Sequence, residues 1–416
     1  MRTIGRISFC LATLAAGIGT AQAGGFAVRE QSTSAMGAAF AGAAAGGDMS
    51  SMYWNSAGVA DSDGGFDSES HYSLILPGGN MTAKAGTTPA LLAGPFDQES
   101  GNIGAIALVP ASYYSYQLAG IDPNLFVGLA INAPFGLTTE PENNTWVGAQ
   151  LARTTGLFTL NANPMLGYRL APGVSVGAGA QIQYIKGRFT FATGTPTGPS
   201  SEFEGEDFGF GFTLGAMLEP TASTKIGLGY RSQVDSTLDG SLFLAGITPA
   251  GIPGTVDIAT PDIVTLSLRQ SLTPSLRLLG TIEWTDWSDF AELQITSAVP
   301  LPAIPAGWED GWFYSLGLES DVSEQLTLRA GLAYEQSPIT TPEQRLVNVP
   351  DANRTWVSLG ATYRWTTSWR FDVGYSHVFF ENSELNRDGL FGPTLVADVE
   401  EQLDILSFAY KYEWGN

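Results

Sequence analysis

Forty-one acidic against nineteen basic side chains in 416 residues give a net charge of −22, which leaves no basic footprint for nucleic acid. The length suits two or three soluble domains or one large barrel. Fifty glycines and 11 % aromatics with only 14 % charged residues favour strands that meet lipid on one face and a lumen on the other.

Residues 1–23 read as an export signal. Arg2 and Arg6 precede an apolar core from Ile7 to Ile18, and Ala21-Gln22-Ala23 offers small residues for cleavage. Cys10 falls inside this segment, so the mature chain is expected to carry no cysteine and no disulfide. Beyond it there is no run of about eighteen apolar residues, and no spanning helix is expected. The acidic excess reads mainly as solvated loop charge. A surface meeting cation-bridged lipopolysaccharide, or a saline habitat, is the alternative.

Residues 24–62 lack strand alternation. Gly24 to Ala60 is nearly half Gly and Ala and too weakly apolar to cross a membrane, so we expect a hatch that plugs a barrel formed by residues 63–416. The run Asp61-Ser62-Asp63-Gly64-Gly65 lacks the later ligands of a calcium loop and reads as a turn.

From Phe66 onward, fourteen segments alternate apolar with small or polar residues: 66–77, 103–117, 124–133, 156–170, 173–190, 207–219, 224–238, 260–271, 275–287, 311–320, 325–336, 354–365, 368–380 and 402–414. In one, Leu328, Leu332 and Tyr334 oppose Arg329, Gly331 and Glu335; in another, Val373 and Tyr375 oppose Arg370, Asp372 and Gly374. Charges on a lipid face would cost about 2–4 kcal/mol each near the midplane, so the apolar faces must look outward. A soluble sandwich could alternate too, but it would bury that face in a core. Connections run long, then short, to the end of the chain, as in outer-membrane barrels with short periplasmic turns. The predicted fold is therefore an all-β, antiparallel transmembrane barrel of 14 strands in the outer membrane of a Gram-negative bacterium, with both termini periplasmic. Phe408, Tyr410, Tyr412 and Trp414 give the last strand an aromatic row similar to a barrel-assembly signal.

The segments Gly25–Ser34 (GFAVREQSTS) with Met36-Gly37, 132–138 (NAPFGLT), 161–170 (NANPMLGYRL), 283–290 (EWTDWSDF), Ser337-Pro338 and Asn353–Trp356 (NRTW) resemble the FadL-type outer-membrane transporters of long-chain fatty acids, whose relatives carry aromatic hydrocarbons. The resemblance implies a monomeric barrel with an apolar pocket above its hatch. Release would be sideways into the bilayer beside an irregular third strand, here marked by Gly128 and Pro134. Where the family commonly has Asn-Pro-Ala, this chain has Asn55-Ser56-Ala57-Gly58, and loss of the fixed proline φ weakens the case for a rigid turn.

No enzyme is expected. Ser376 and His377 are neighbours on a strand and point to opposite faces, and His71 has no partner visible in the sequence. No cofactor or metal site is expected either. An apolar slot gains about 0.8 kcal/mol per buried methylene. Candidates for that slot are Phe26, Met36 and Phe40 from the hatch, with Phe135, Trp146, Leu151 and Phe158 from the second long loop and its flanks. Met36 and Phe40 could instead pack a short helix against the wall, and the loop aromatics could form an interfacial girdle. A fatty-acid carboxylate would favour a cation: Lys186, which sits about where the resemblance places a basic residue, Arg188 or Arg153. Strand parity puts Lys186 and Arg188 on the lipid side, where they would snorkel. The expected function is passive uptake of long-chain fatty acids or similar hydrophobic molecules, with outer-membrane lipid and lipopolysaccharide as surroundings. The alternatives are hydrocarbon uptake, a structural or adhesive barrel, and a general porin.

Overall fold

The computed structural model describes residues 24–62, 65–389 and 392–414, so residues 1–23, expected above to be an export signal, lie outside the described residues with Asp63-Gly64, Leu390-Phe391 and Gly415-Asn416. Fourteen strands close into an antiparallel barrel: β1 (Phe66–Ala83), β2 (Ala107–Gln117), β3 (Leu125–Asn132, resuming as Gly136–Thr139), β4 (Thr155–Ala171), β5 (Val174–Ala192) and β6 (Ser200–Thr221) form its first part. They are followed by β7 (Thr224–Arg231 and Val234–Phe243), β8 (Ile252–Thr260 and Ile263–Ser271), β9 (Leu276–Thr285) and β10 (Gly311–Asp321). The last four are β11 (Leu326–Gln336), β12 (Arg354–Arg364), β13 (Trp369–Phe380 and Ser383–Asp388) and β14 (Thr394–Trp414). Closure is made by β1 against β14, in register from Phe66↔Trp414 to Ala83↔Ala397. A closed ladder leaves no edge, which is what a backbone needs in hydrocarbon.

All fourteen expected segments are strands, and several run further than the alternation indicated. Above the membrane the hairpins continue as ladders, so part of the expected loops 78–102, 239–259 and 381–401 is strand. Leu166, Phe210, Leu316, Leu332 and Leu359 point outward and are exposed, as a lipid-facing band requires. The inward face is charged and small. Glu319, for example, holds Arg269, Arg277 and Arg329 together along the inner wall of four neighbouring strands, β8 to β11.

Residues 24–62 fill that lumen as short turns and one brief helix, Thr33–Met36, whose N-cap Ser32 accepts from the Ala35 N–H. They fit because the wall is made of glycine where they touch it. Gly167, Gly177, Gly215 and Gly229 are successive register neighbours on β4 to β7. A Cβ on Gly229 would lie 1.7 Å from the Trp54 carbonyl oxygen, and one on Gly177 would lie 2.3 Å from that of Ser56. The inward glycines are therefore the surface on which the hatch backbone rests.

Three sequence expectations change here. The turn at Asn55–Gly58 does not need the missing proline: Asn55 accepts from the Ala57 N–H at 3.0 Å and donates to the carbonyls of Ala44 and Ala216 at 2.8 and 3.0 Å. Gly128 makes no bulge, since the ladder runs through it to Ser115 and Met165; it is small because Val59 and Met52 press on it. The break in β3 falls instead at 133–135, around Pro134. His71 does have partners: it is buried, its Nδ1 accepts from the Thr33 N–H at 2.9 Å, and its Nε2 lies 2.8 Å from Glu69. It anchors the hatch helix to β1.

Candidate functional site

The first hatch residues, Gly24 and Gly25, lie inside the lumen beside Glu335 and Asp351, at the end of β11 away from its short turn, and not at the periplasmic end expected for the N-terminus. Gly25 adopts φ +66°, and a Cβ there would come within 2.8 Å of Trp308 and 2.9 Å of Trp287, so only glycine lets the chain enter. Phe26 then lies in an aromatic box, with ring centroids 4.7 Å from Trp287, 5.5 Å from Phe290, 6.0 Å from Trp308 and 6.1 Å from Phe135. All five side chains are buried. The rings meet mostly edge to face, the arrangement that aromatic quadrupoles favour.

The backbone beside Phe26 fills the break in the wall. Strand β2 pairs with β3 between Ser112–Gln117 and Phe126–Ile131, and contact resumes only at the Gly104↔Thr139 bridge, so between those levels β3 has no neighbour on this side. The hatch takes its place. Val28 N–H donates to the Pro134 carbonyl at 2.8 Å, and Gly136 N–H donates to the Phe26 carbonyl at 2.8 Å. Gln31 Nε2 donates to the Ala133 carbonyl at 2.8 Å, and Tyr113 Oη donates to the Gln31 carbonyl at 2.9 Å. Moving Phe26 out of its box therefore strips hydrogen bonds from the same stretch of β3.

Below the box lies a cavity of about 30 Å³, lined among others by Val28, Trp54, Arg231, Ile263, Trp287 and Phe313. Small-molecule sites run to about 300–1,000 Å³, so this cavity is too small for a substrate with the hatch seated. Arg231 is buried, donates to Gln181 and to the Tyr53 carbonyl, and stacks over the Tyr53 ring at 4.6 Å. Among the described residues no carboxylate lies within ion-pair distance of it. Arg29, by contrast, is held by Glu283 at 2.7 Å and Glu335 at 3.2 Å and lies over Phe313 at 3.8 Å. Glu30 beside it is fully buried, neither carboxylate oxygen meets a donor, and burial pushes its pKa up to about 7. Lower in the hatch, burial would raise Asp48, but Arg370 and hydrogen bonds from Ser34 and Ser50 hold it at about 2.

The candidate residues from the sequence separate into groups. Phe26 and Phe135 meet in the box. Met36 and Phe40 belong to a lower cluster, and Phe40 lies beyond the helix at φ +61°, packed on Trp356 and Trp54. Trp146, with Leu151 packed against it, sits in a third cluster under the external loops. Phe158 is on the outer face against Tyr184 and lines no interior slot. Lys186 and Arg188 also point outward and pair with Glu204 and Glu202 at 2.5 and 2.6 Å, as parity indicated, so neither can meet a substrate in the lumen. Arg153 binds Ser200 and the carbonyls of Pro196 and Gly198, pinning a loop. Trp308, Phe313, Arg231 and Asp351 were not found from sequence, while Trp287, Phe290, Glu283 and Arg354 lay unassigned inside quoted motifs. Ser376 pairs with Ser358 inside the wall, and His377 with Asp404 outside it.

Residues 14–414 match the family model described as outer membrane protein transport protein (OMPP1/FadL/TodX). Outer membrane protein P1 of Haemophilus influenzae is 28% identical over 405 residues, covering 86% of this chain and 87% of that one. The long-chain fatty acid transport protein of Escherichia coli K12 is 26% identical over 336 residues, covering 69% and 74%. A crystal structure of a Pseudomonas aeruginosa FadL homologue superposes with a TM-score of 0.83 at 22% identity, covering 94% of this chain and 100% of that one. The toluene transporter TodX of P. putida superposes at 0.67 and 15% identity, covering 89% and 95%.

Proposed function

We propose, from the premise that this chain belongs to the OMPP1/FadL/TodX family of outer-membrane transport proteins, that it takes up long-chain fatty acids passively and releases them sideways. The observation that carries this reading is Phe26: one hatch side chain fills the aromatic box while its own backbone closes the break beside Pro134. A hydrophobic molecule competing for the box must displace Phe26. Exposing that side chain costs about 1.5–3 kcal/mol, which two to four buried methylenes offset at about 0.8 kcal/mol each. An alkyl chain long enough to fill the lumen has methylenes to spare. The displaced hatch leaves 133–136 without partners on the β2 side, which opens the wall toward lipid.

Arg231 favours a fatty acid over a hydrocarbon. It lines the cavity with no carboxylate partner among the described residues, and an amphiphile's head group would supply one. Removal of residues 1–23, a hatch of residues 24–62 and a monomeric barrel in lipid and lipopolysaccharide complete the proposal. The test compares uptake of labelled oleate and labelled toluene by cells with and without the protein, and with Arg231→Gln. Oleate uptake should depend on the protein and fall in the variant, while toluene should not respond to the variant. If neither compound depends on the protein, the transport reading fails. Oleate uptake that is unchanged in Arg231→Gln returns the substrate to the hydrocarbon class.

A further inference from the structure

We infer that a row of buried amides on the inner wall carries the polar head of an amphiphile from Arg231 to the break in β3; the inference rests on the fatty-acid reading above. The row starts where Arg231 donates to Gln181 on β5. Gln183 lies two residues further along the same face of that strand. Its register partner on β4 is Asn161, and the partner of Asn161 on β3 is Asn132. Asn161 Nδ2 donates to Asn132 Oδ1 at 3.3 Å. One residue beyond Asn132, Gln31 of the hatch donates to the Ala133 carbonyl and closes the row. All six side chains are at least nine-tenths buried.

These amides carry more hydrogen-bonding capacity than the protein satisfies. Among the described residues, Gln183 Oε1, Asn161 Oδ1, Asn132 Nδ2 and Gln31 Oε1 meet no partner. Turning both asparagines over exchanges their idle atoms and leaves as many unpaired. A buried polar group without a partner is costly, and apolar side chains of the same shape would remove that cost. Four such atoms along one row call for a ligand that meets them as it passes. The flanks say which kind. Leu157 and Ile185 above the row belong to the cluster of the aromatic box, while Ala130 and Met165 below it belong to the lower cluster. An alkyl tail lying against the box cluster puts its head level with the amides. A carboxylate takes their N–H donors, and a protonated acid takes a donor and an acceptor. Arg231 alone would hold a carboxylate in place. Neutral amides in succession bind it weakly at several points, which is what a path needs if its occupant is to leave. The row is buried with the hatch seated, and withdrawal of Gln31 frees its far end at the stretch that opens toward lipid.

The test separates head from tail. Cells carrying the protein are given labelled oleate or labelled 1-octadecene, which has the same chain length and no carboxylate. Asn132→Leu with Asn161→Leu removes two amides that partner each other, at nearly constant volume. Gln183→Met removes a third, and its partner Thr260 keeps the Val234 carbonyl. Both variants should reach the outer membrane as folded barrels, because each removes unpaired buried atoms. Oleate uptake should fall about tenfold or more in each, the loss expected for a hydrogen bond to a charged group. Uptake of 1-octadecene should hold. Equal loss of both compounds would mark the row as a structural element and overturn the proposal. Oleate uptake that falls in Arg231→Gln yet ignores both amide variants would also overturn it, and would leave the fatty-acid reading standing. Uptake of neither compound by the wild-type protein would remove that reading and this one together.

Discussion

Replacing Glu30 by Gln tests how the hatch responds to pH. Glu30 is 0 % exposed, its carboxylate oxygens meet no donor, and burial lifts its pKa from 4.5 to about 7. With the folded value raised, the seated hatch prefers the protonated acid. Seating is therefore firmest below about pH 4.5 and weakens as pH rises toward 7, beyond which the effect levels off. Two to three pKa units at 1.36 kcal/mol each give about 3 kcal/mol, or roughly a hundredfold in the population of the displaced hatch. Amide hydrogen exchange over residues 24–62, corrected for intrinsic rates between pH 4.5 and 8, reads this directly. The wild-type hatch should open about a hundredfold more often at the upper end, and Glu30→Gln should flatten that rise. His71 and Asp48 are common to both proteins, so the difference isolates Glu30. Parallel profiles would refute the reasoning.

Three further outcomes follow from the geometry. Gly229→Ala puts a Cβ 1.7 Å from the Trp54 carbonyl and should unseat the hatch, read as steady conductance in planar bilayers, whereas Gly156→Ala has nothing within 4 Å and should conduct like wild type. Asn55→Ala removes a cap and two further hydrogen bonds and should destabilise the hatch by about 1–3 kcal/mol in exchange measurements, while Ser56→Pro, at the first position of a helical turn, should change neither stability nor uptake. Lys186→Gln and Arg188→Gln remove exposed pairs on the outer face worth about 0–1 kcal/mol each and should leave oleate uptake unchanged.

The barrel was legible because a period of two is a local property. Leu328, Leu332 and Tyr334 against Arg329, Gly331 and Glu335 declare two faces within one strand, and only lipid outside explains apolar residues that stay exposed. The site was legible only in part. Phe26 and Phe135 came from the sequence, but their partners Trp287, Phe290 and Trp308 enter from the β9–β10 connection, more than a hundred residues later. No periodicity within a strand reports which loop folds over which terminus. The same holds for Arg231, which looks like any inward strand residue until Tyr53 and Gln181 are placed around it.

The N-terminal stretch shows where the division falls. Its Gly- and Ala-rich composition and lack of alternation already marked residues 24–62 as an insert, and the short and long connections told which end of the barrel they join. Register then decided the rest. It aligned Gly167, Gly177, Gly215 and Gly229 into one row for the hatch to lie on, and it placed Glu335 and Asp351 at its first residues. It also ended the β2–β3 pairing at Ser112↔Ile131, so that Phe26 and Val28 bond to the stretch around Pro134. Facing is settled between neighbours in sequence, whereas a closed lumen is settled only once every strand has found its partner.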